Sequence, residues 1–300
     1  MSLVLPTFDQ LPAVQGMPQG CAWGVFDHND TRDVLGTLNI LTPHVVRESK
    51  HEIVDGISIS LNWPLEALEQ KVPPFDGRRP AAHHVFTQRD ANISQGLGWD
   101  DELEFNTQGS SQWDSLVHWQ HQASGLAYNG AKPSKKALLK NSTAANFMPT
   151  LDHWHSRGGL VGRGVLIDYL TYAEVMGLNN SHRLDGHRIT VKEIEAIAAY
   201  QHTEFKQGDI FILRTGLTEV YENPSSEDLR KLAEGKITGV DGSVKTAKWF
   251  WNKHFAAVAA DNNAFEAYPP LKPDGTVGGP TALGEFFLRY LVSQSIWDAD

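Results

Sequence analysis

The sequence predicts an α/β fold, because strand-like apolar runs alternate with helix patterns along its second half. Runs of β-branched and small apolar residues indicate buried strands at 162–169, 208–216 and 256–261. Helix patterns lie between them at 191–200, 227–234 and 246–254. With no internal repeat and no low-complexity linker, residues 1–300 are predicted to form a single domain.

Composition excludes several classes of protein. The chain has 300 residues with 41% hydrophobic content, which is enough for a large core. Its formal charge of −10, with 26 Lys and Arg residues, provides no basic surface for nucleic acid or an anionic membrane. The one cysteine, Cys21, excludes an intrachain disulfide framework and a multi-thiolate metal site.

The N-terminal residues predict neither a signal peptide nor a membrane anchor. The stretch MSLVLPTFDQLP has no basic residue and only a short apolar run. No window approaches 18 consecutive apolar residues, so no membrane span is expected and the predicted location is cytoplasmic. Residues 1–22 contain several prolines and glycines and are predicted to form an extended segment over the surface.

Secondary-structure signals are weaker in the first half of the chain. Thr42 followed by Pro43 indicates a helix N-terminus, so a short helix is expected at about 43–50. The alternating sequence ISISL at 57–61 predicts a strand. A second alternating stretch at 102–105 is predicted to be the strand that leads into the central motif.

Residues 64–100 are irregular and rich in Pro and Gly. We expect a long ordered loop here, which in a compact domain usually covers a site or a partner. Within it, the adjacent His83 and His84 either contribute to a pocket or form a surface pair.

Capping signals position the helices of the second half. Thr190 and Glu193 form a capping box that predicts the helix at 191–200. A further short helix, which carries two histidines, is predicted at 151–157.

Two of the predicted strands end in charged residues. GRGVLIDY at 162–169 carries Asp168, and GDIFILRTG at 208–216 carries Arg214. In parallel or mixed sheets, polar residues at the carboxyl ends of strands face the ligand crevice, so Asp168 is a candidate substrate-binding residue. Its alternative role is a helix cap or a turn residue. The Arg214 guanidinium could hold a carboxylate or polarise a carbonyl of the substrate.

The segment FNTQGSSQWDSLVH at 105–118 concentrates chemically active side chains. Around a Gly-Ser-Ser turn it carries Gln108, Gln112, Asp114 and His118. A carboxylate and an imidazole four residues apart can converge on one point, as metal ligands or as an acid/base pair. The alternative interpretation is a capped, solvated loop.

Aromatic residues accompany this segment. Trp113 lies within it, and Tyr128 follows in the sequence Tyr-Asn-Gly. These side chains could line a pocket for a flat substrate, or they could pack in the core with their polar ends hydrogen-bonded.

The 105–118 segment resembles the signature of the cyclase family, which includes kynurenine formamidases and isatin hydrolases. That signature, His-x-Gly-Thr-His-x-Asp-x-Pro-x-His, aligns with residues 108–118. Gln108 and Gln112 stand where the family has two metal-binding histidines. Asp114 matches the family's metal-bridging carboxylate and His118 its proton-transfer histidine. A subclass of the family carries Gln-Trp-Asp here, followed by Tyr-Asn-Gly, as this chain does.

Further landmarks of the family resemble GRGVLID, GDIFILRTG and the pair Asp261 and Glu266, so the resemblance covers roughly residues 20–270. It implies a swivelling β/β/α arrangement with a mixed sheet and flanking helices. It also implies a homodimer or a larger homo-oligomer.

The resemblance weakens in the C-terminal region. Relatives have a His and a later Glu that complete a metal site, whereas here Gly284 stands at the His position and Trp297 near the Glu position. Relatives also usually continue beyond the position of Asp300, so the C-terminal end is expected to be shortened.

Two mechanisms follow from this set of residues. Amide oxygens are weak zinc ligands, but Gln112 and Asp114 could hold a divalent ion such as Mn or, less readily, Zn. The ion would then activate water while His118 transfers a proton. Without a metal, His118 would act as general base or acid on a substrate held by Gln108, Gln112 and Arg214. No organic cofactor is expected.

The resemblance implies a hydrolase of the arylformamidase type. Its small-molecule substrate would be a carbonyl compound with a C–N or C–O bond to cleave, such as an aryl formamide, a cyclic amide or a lactone. Two alternatives remain open. One is a catalytically silent protein that binds a small molecule after losing its metal, and the other is a natural-product cyclase or dehydratase that uses His118 without net hydrolysis.

Overall fold

The molecule is built from short strands and helices around a central mixed sheet. The computed structural model describes residues 3–67, 78–139, 146–178, 183–271, 275–278 and 292–295. The strands are β1 (Ala82–Thr87), β2 (Trp99–Glu104), β3 (Gln112–Trp113), β4 (Gly164–Asp168), β5 (Arg188–Ile189), β6 (Ile210–Arg214), β7 (Gly239–Val240), β8 (Ala257–Ala260) and β9 (Val292–Ser295). The helices are α1 (Pro43–Glu48), α2 (Lys135–Leu138), α3 (Leu151–Ser156), α4 (Tyr169–Val175), α5 (Val191–Tyr200), α6 (Leu217–Glu222), α7 (Ser226–Leu232) and α8 (Val244–Lys253).

The central sheet has the strand order β3-β9-β8-β6-β4. Strands β9, β8, β6 and β4 are parallel, and β3 runs antiparallel to β9. β1 and β2 form a separate antiparallel hairpin, and β5 pairs with β7 in parallel. The predicted α/β class, with a mixed sheet and flanking helices, is confirmed.

The largest core cluster is aromatic and joins the sheet to helix α8. Phe211 of β6 lies 5.0 Å from Phe250 and 5.3 Å from Phe255 between ring centroids. All three side chains are fully buried. Ile194 and Ile197 place the apolar side of α5 in the same cluster, as the helical spacing of these residues requires.

A second core cluster lies beneath the 105–118 segment. Leu116 packs there with Leu38, Tyr128, Trp154 and Ala257. This cluster ties the segment after β3 to β8 and α3, so the loop that follows Asp114 has a fixed position.

Local signals located most of the predicted helices. The capping box of Thr190 and Glu193 is present, and α5 has the predicted bounds. Helices α1, α3, α7 and α8 lie within two residues of the predicted bounds. Strands β4, β6 and β8 lie inside the predicted runs, each slightly shorter than predicted. The sequence patterns missed α2, α4, α6, β1, β3, β5, β7 and β9.

The strand predicted at 57–61 is wrong. These residues form irregular chain, and Ile57 and Ile59 are 77% and 63% exposed. Alternation alone does not make a strand, because a strand needs a neighbour that pairs with its backbone and a face that is buried.

The prediction of a long loop at 64–100 is also partly wrong. Its described part contains β1 and the start of β2, which pair from Ala82 opposite Glu104 to Thr87 opposite Trp99. Residues 68–77 lie outside the described part. The strand predicted at 102–105 overlaps the end of β2, whereas β1 was not predicted. Most side chains of β1 are at least partly exposed, and they show no apolar alternation.

The N-terminal segment is more firmly packed than an extended surface segment. Phe8 and Leu11 are 4% exposed. The Phe8 N–H donates to Asn252 Oδ1 at 2.8 Å, and the Trp251 indole donates to the Pro6 carbonyl at 2.8 Å. In the described residues, no helix is long and apolar enough to cross a membrane.

Candidate functional site

Asp114 and His118 converge just after the edge strand β3. Asp114 Oδ1 lies 3.8 Å from His118 Nδ1, and their side chains are 18% and 36% exposed. The Gln108 side chain donates from Nε2 to the same Asp114 oxygen at 2.6 Å. The structure therefore brings three of the predicted site residues together in one partly buried group.

Gln108 reaches the carboxylate from a short 3-10 turn, Thr107–Gly109, that comes before β3. The Asn106 side chain accepts a hydrogen bond from Gln108 N at 2.9 Å and so fixes the start of this turn. This local hydrogen bond fixes the position of Gln108, whose side-chain amide contacts Asp114.

The Asp114 carboxyl has a pKa above its ordinary value. Burial raises its pKa, and this effect exceeds the opposing effects of the His118 charge, the Gln108 hydrogen bond and the Arg78 charge. A carboxyl with a raised pKa beside an imidazole is an arrangement suited to moving protons.

The next two predicted residues, Gln112 and Trp113, form β3 itself. Gln112 donates from Nε2 to the Trp113 carbonyl at 2.6 Å. The Trp113 ring packs edge to face against Trp154 of α3, with ring centroids 6.1 Å apart. Both residues come directly before Asp114 in the chain and are partly exposed.

Two serines anchor the turn that leads into β3. The Ser110 hydroxyl donates to the carbonyls of Trp63 and Pro64, each at 2.9 Å. Ser111 Oγ accepts from Trp63 N at 2.7 Å. The Trp63 indole in turn donates to Glu222 Oε1 at 3.0 Å, which connects the motif to the end of α6.

Tyr128 lies below the motif, and its hydroxyl has a partner within the protein. The ring is 7% exposed, and the hydroxyl donates to Asp33 Oδ2 at 2.9 Å. Burial and the Asp33 carboxylate raise the pKa of Tyr128 well above its ordinary value. The next residue, Asn129, bonds to Asp27 and Gly24, so the Tyr-Asn-Gly turn fastens the N-terminal third of the chain to the motif.

Asp168 and Arg214 form a separate cluster. Arg214 Nη1 lies 3.1 Å from Asp168 Oδ2, and Arg214 also pairs with Glu219. Asp168 is the N-cap of α4, where it accepts from Thr171 N at 3.0 Å. These contacts agree with the alternative role of Asp168 as a helix cap. A substrate-binding role for Asp168 stays a prediction.

The sheet topology separates this cluster from Asp114. Strands β9 and β8 stand between β3 and β6, which places them roughly 14 Å apart at the usual spacing of strands. Asp168 and Arg214 lie at the carboxyl ends of parallel strands, whereas the chain after β3 runs toward the amino ends. The structure does not bring Arg214 to the Asp114 group.

Asp261 at the end of β8 has a structural set of partners. Its two carboxylate oxygens accept from Thr215 N, Thr215 Oγ1 and Gly216 N at 2.6 to 2.9 Å. These bonds hold the turn between β6 and α6. Glu266 is 8% exposed and forms a bridge with Val240 of β7.

The adjacent histidines His83 and His84 lie on the exposed hairpin of β1 and β2. His83 pairs with Asp101 across the exposed hairpin at 2.9 Å, which agrees with a surface position. His84 is also exposed. Gly284 and Trp297, which stand at the family's remaining ligand positions, lie outside the described residues.

Sequence reasoning missed Trp63, Arg78 and Glu222. Each lies far from Asp114 in sequence, and Trp63 and Arg78 fall in or beside the irregular stretch at 64–100. No local pattern indicates a contact over such a separation. The Ser-Ser pair was the only available signal, because two hydroxyls in a turn need partners.

The described residues of this group are a poor ligand set for a divalent metal. Within the part of the chain that the structure describes, no three His, Cys, Asp or Glu side chains are grouped closely enough to hold an ion. Among the described residues, Asp114 is the one carboxylate of this group, and Gln108 presents an N–H to it instead of an oxygen. Zinc prefers imidazole, thiolate and carboxylate ligands, so this donor set is poor for it.

Comparisons with known proteins agree with the fold. The Cyclase family model matches residues 44–267. A crystal structure described as a novel cyclase is 27% identical with a TM-score of 0.66, covering 88% of this chain and 83% of that chain. Isatin hydrolase A from Labrenzia aggregata, bound to benzyl benzoate, is 13% identical with a TM-score of 0.52, covering 84% and 87% respectively, a likeness of fold alone. Curated protein sequences gave no significant match.

Proposed function

The chain belongs to the Cyclase family, and from this premise we propose that it is a hydrolase of small carbonyl compounds. The substrate class is an aryl formamide, a cyclic amide or a lactone, in which water cleaves a C–N or C–O bond. The observation that carries the proposal is the convergence of His118, Asp114 and Gln108 in one partly buried group.

His118 acts as the general base in this proposal. Its imidazole takes a proton from water, and the water oxygen attacks the carbonyl carbon to give a tetrahedral intermediate. When that intermediate collapses, the C–N or C–O bond breaks and the leaving nitrogen or oxygen takes the proton from the imidazolium. Asp114, whose Oδ1 lies 3.8 Å from His118 Nδ1, orients the imidazole.

The surroundings of the pair suit a flat substrate. We assign substrate contacts to Trp113 and Gln112, which come directly before Asp114 in the chain and are partly exposed. An aromatic ring would stack on the indole while the amide aligns a polar edge. Gln108 holds the carboxylate in place. Arg214 lies three strands away, so we assign no part of this step to it.

Turnover by purified variants tests the proposal. The full-length protein is incubated with an aryl formamide, an isatin-type cyclic amide and an aryl lactone, and products are identified by mass. Hydrolysis adds one water to the substrate. His118→Ala and Asp114→Asn are expected to lower kcat/KM by roughly 10²- to 10⁴-fold, the usual contribution of acid/base catalysis.

His51→Ala is the matched control, because that histidine is exposed on the surface and should leave turnover unchanged. Ligand binding without turnover of any substrate would instead support a silent binding protein. A product that lacks the added water would support a cyclase or a dehydratase. Equal turnover by wild type and His118→Ala would refute the assigned role of the imidazole.

The assembly and the location of the protein remain predictions. We propose a homodimer or a larger homo-oligomer, as expected from the family resemblance, in the cytoplasm. Light scattering on the purified protein measures the assembly directly.

A further inference from the structure

The contact between Gln108 and Asp114 bears on whether this site uses an ion. At 2.6 Å from a carboxylate oxygen, an amide must present its NH₂ end, because two acceptor oxygens at that distance would repel each other. Gln108 therefore meets Asp114 as a donor. Ligation of a metal would require the opposite orientation of this amide, with Oε1 toward the ion.

The side-chain amide of Gln112 also acts as a hydrogen-bond donor within the protein. Gln112 Nε2 lies 2.6 Å from the Trp113 carbonyl, a backbone group that cannot move without disturbing β3. The two amides that replace histidines in the motif thus make hydrogen bonds within the protein. These bonds need no ion to form.

The sequence has neither histidine nor cysteine after residue 254. Its last histidine is His254 at the end of α8, and its one cysteine, Cys21, is buried. The C-terminal residues 279–300 therefore cannot supply an imidazole or a thiolate to the Asp114 group.

We infer that the Gln108 amide takes the place of a divalent cation against Asp114, so the site is assembled and held without a metal. The N–H of Gln108 supplies the positive partner that a buried carboxylate needs. Asn106 and the Ser110 hydroxyl hold the turn that presents it. The inference concerns the site of the proposed function, but its test measures metal binding and stability and does not depend on turnover.

Metal content and calorimetry on the full chain provide the first test. Wild-type protein purified without chelator is expected to contain far less than one equivalent of Mn²⁺ or Zn²⁺. In titrations with either ion, wild type and Asp114→Asn should behave alike. EDTA should leave the midpoint of thermal unfolding of the wild type unchanged. One retained equivalent that is lost in Asp114→Asn, or an EDTA-induced fall in the midpoint that Mn²⁺ restores, would overturn the inference.

Substitution of the amides provides the second test. Gln108→His combined with Gln112→His places two imidazoles beside Asp114, a ligand set that zinc accepts. The double variant is expected to bind Zn²⁺ in a calorimetric titration, whereas wild type does not. A folded double variant with no affinity for Zn²⁺ would show that Gln108 does not occupy a cation position.

Stability provides the third test. Gln108→Met keeps the length of the side chain but removes the donor, so it is expected to lower the midpoint of thermal unfolding. Gln122→Met, on an exposed residue, is the matched control. An unchanged midpoint in Gln108→Met would contradict the stabilising role assigned to the amide.

Discussion

At the scale of single residues, hydrogen-bond partners decide which polar side chains can face a ligand. Tyr128 and Asp168 were both candidates for substrate contact, yet each is engaged inside the protein, by Asp33 and by the N-terminus of α4. Gln112, Trp113 and His118 remain partly exposed beside Asp114. Residue type alone could not separate these cases, because each of these side chains can either face a ligand or make its hydrogen bonds within the protein.

Ser111→Ala tests the anchoring of the motif at this scale. The substitution removes the acceptor for the Trp63 N–H, which lies in a residue that is 5% exposed. Loss of a partner for a buried polar group costs about 1–3 kcal/mol, so the free energy of unfolding in urea should fall by that amount. Ser115→Ala in the same segment is the control, and equal stability of the two variants would argue against the anchor.

At the scale of elements, capping signals and long apolar runs were reliable, whereas short alternating stretches were not. Helix α5 has the bounds that its capping box predicts, since a helix end is determined by residues a few positions apart. Strand β3 has two residues, and its pairing depends on β9, which lies far along the chain. The alternation at 57–61 had no such neighbour and formed no strand.

Glu193→Gln tests the pH dependence of the α5 N-terminus. Burial alone would raise the pKa of Glu193, but hydrogen bonds from His187 and Thr190 outweigh it and lower the pKa from 4.5 to about 2. A carboxyl whose pKa is lower in the folded state than in the unfolded state stabilises the fold at pH values above its unfolded pKa. That contribution is lost as the pH falls through the folded pKa. The wild-type protein should therefore lose stability between about pH 4.5 and pH 2.

The glutamine variant keeps the capping geometry but cannot titrate, so its stability should fall less steeply over this window. Urea unfolding from neutral to acid pH measures the difference. Glu227→Gln, on an exposed glutamate of α7, should retain the wild-type slope. Parallel curves for wild type and Glu193→Gln would contradict this assignment.

At the scale of the whole molecule, strand order determines which residues share a site. Asp168 and Arg214 meet because β4 and β6 are neighbours, and both lie far from Asp114 because β9 and β8 intervene. The expectation that strand-end residues and the motif form one site did not allow for an antiparallel edge strand. The direction of β3 carries Asp114 away from the carboxyl ends.

Phe211→Ala tests the core that supports this arrangement. Phe211 is fully buried among Phe250, Phe255 and Phe265. Removal of its ring leaves a cavity, and such substitutions cost about 3–5 kcal/mol. Chemical unfolding should show this loss, whereas Phe147→Ala, at a residue that is 58% exposed, should cost little.

The sequence by itself determined the α/β class, the capped helices, the three apolar strands and the pairing of Asp114 with His118. These features depend on residues a few positions apart, so spacing and residue type suffice to predict them. Only the tertiary structure decided that Gln108 covers Asp114, that Trp63 anchors the serine turn, and that Arg214 lies in another cluster. The Gln108 contact depends on how the turn and β3 bend. The position of Arg214 depends on strand order, and the Trp63 anchor depends on contacts between residues 48 or more positions apart. No local pattern in the sequence encodes either of these.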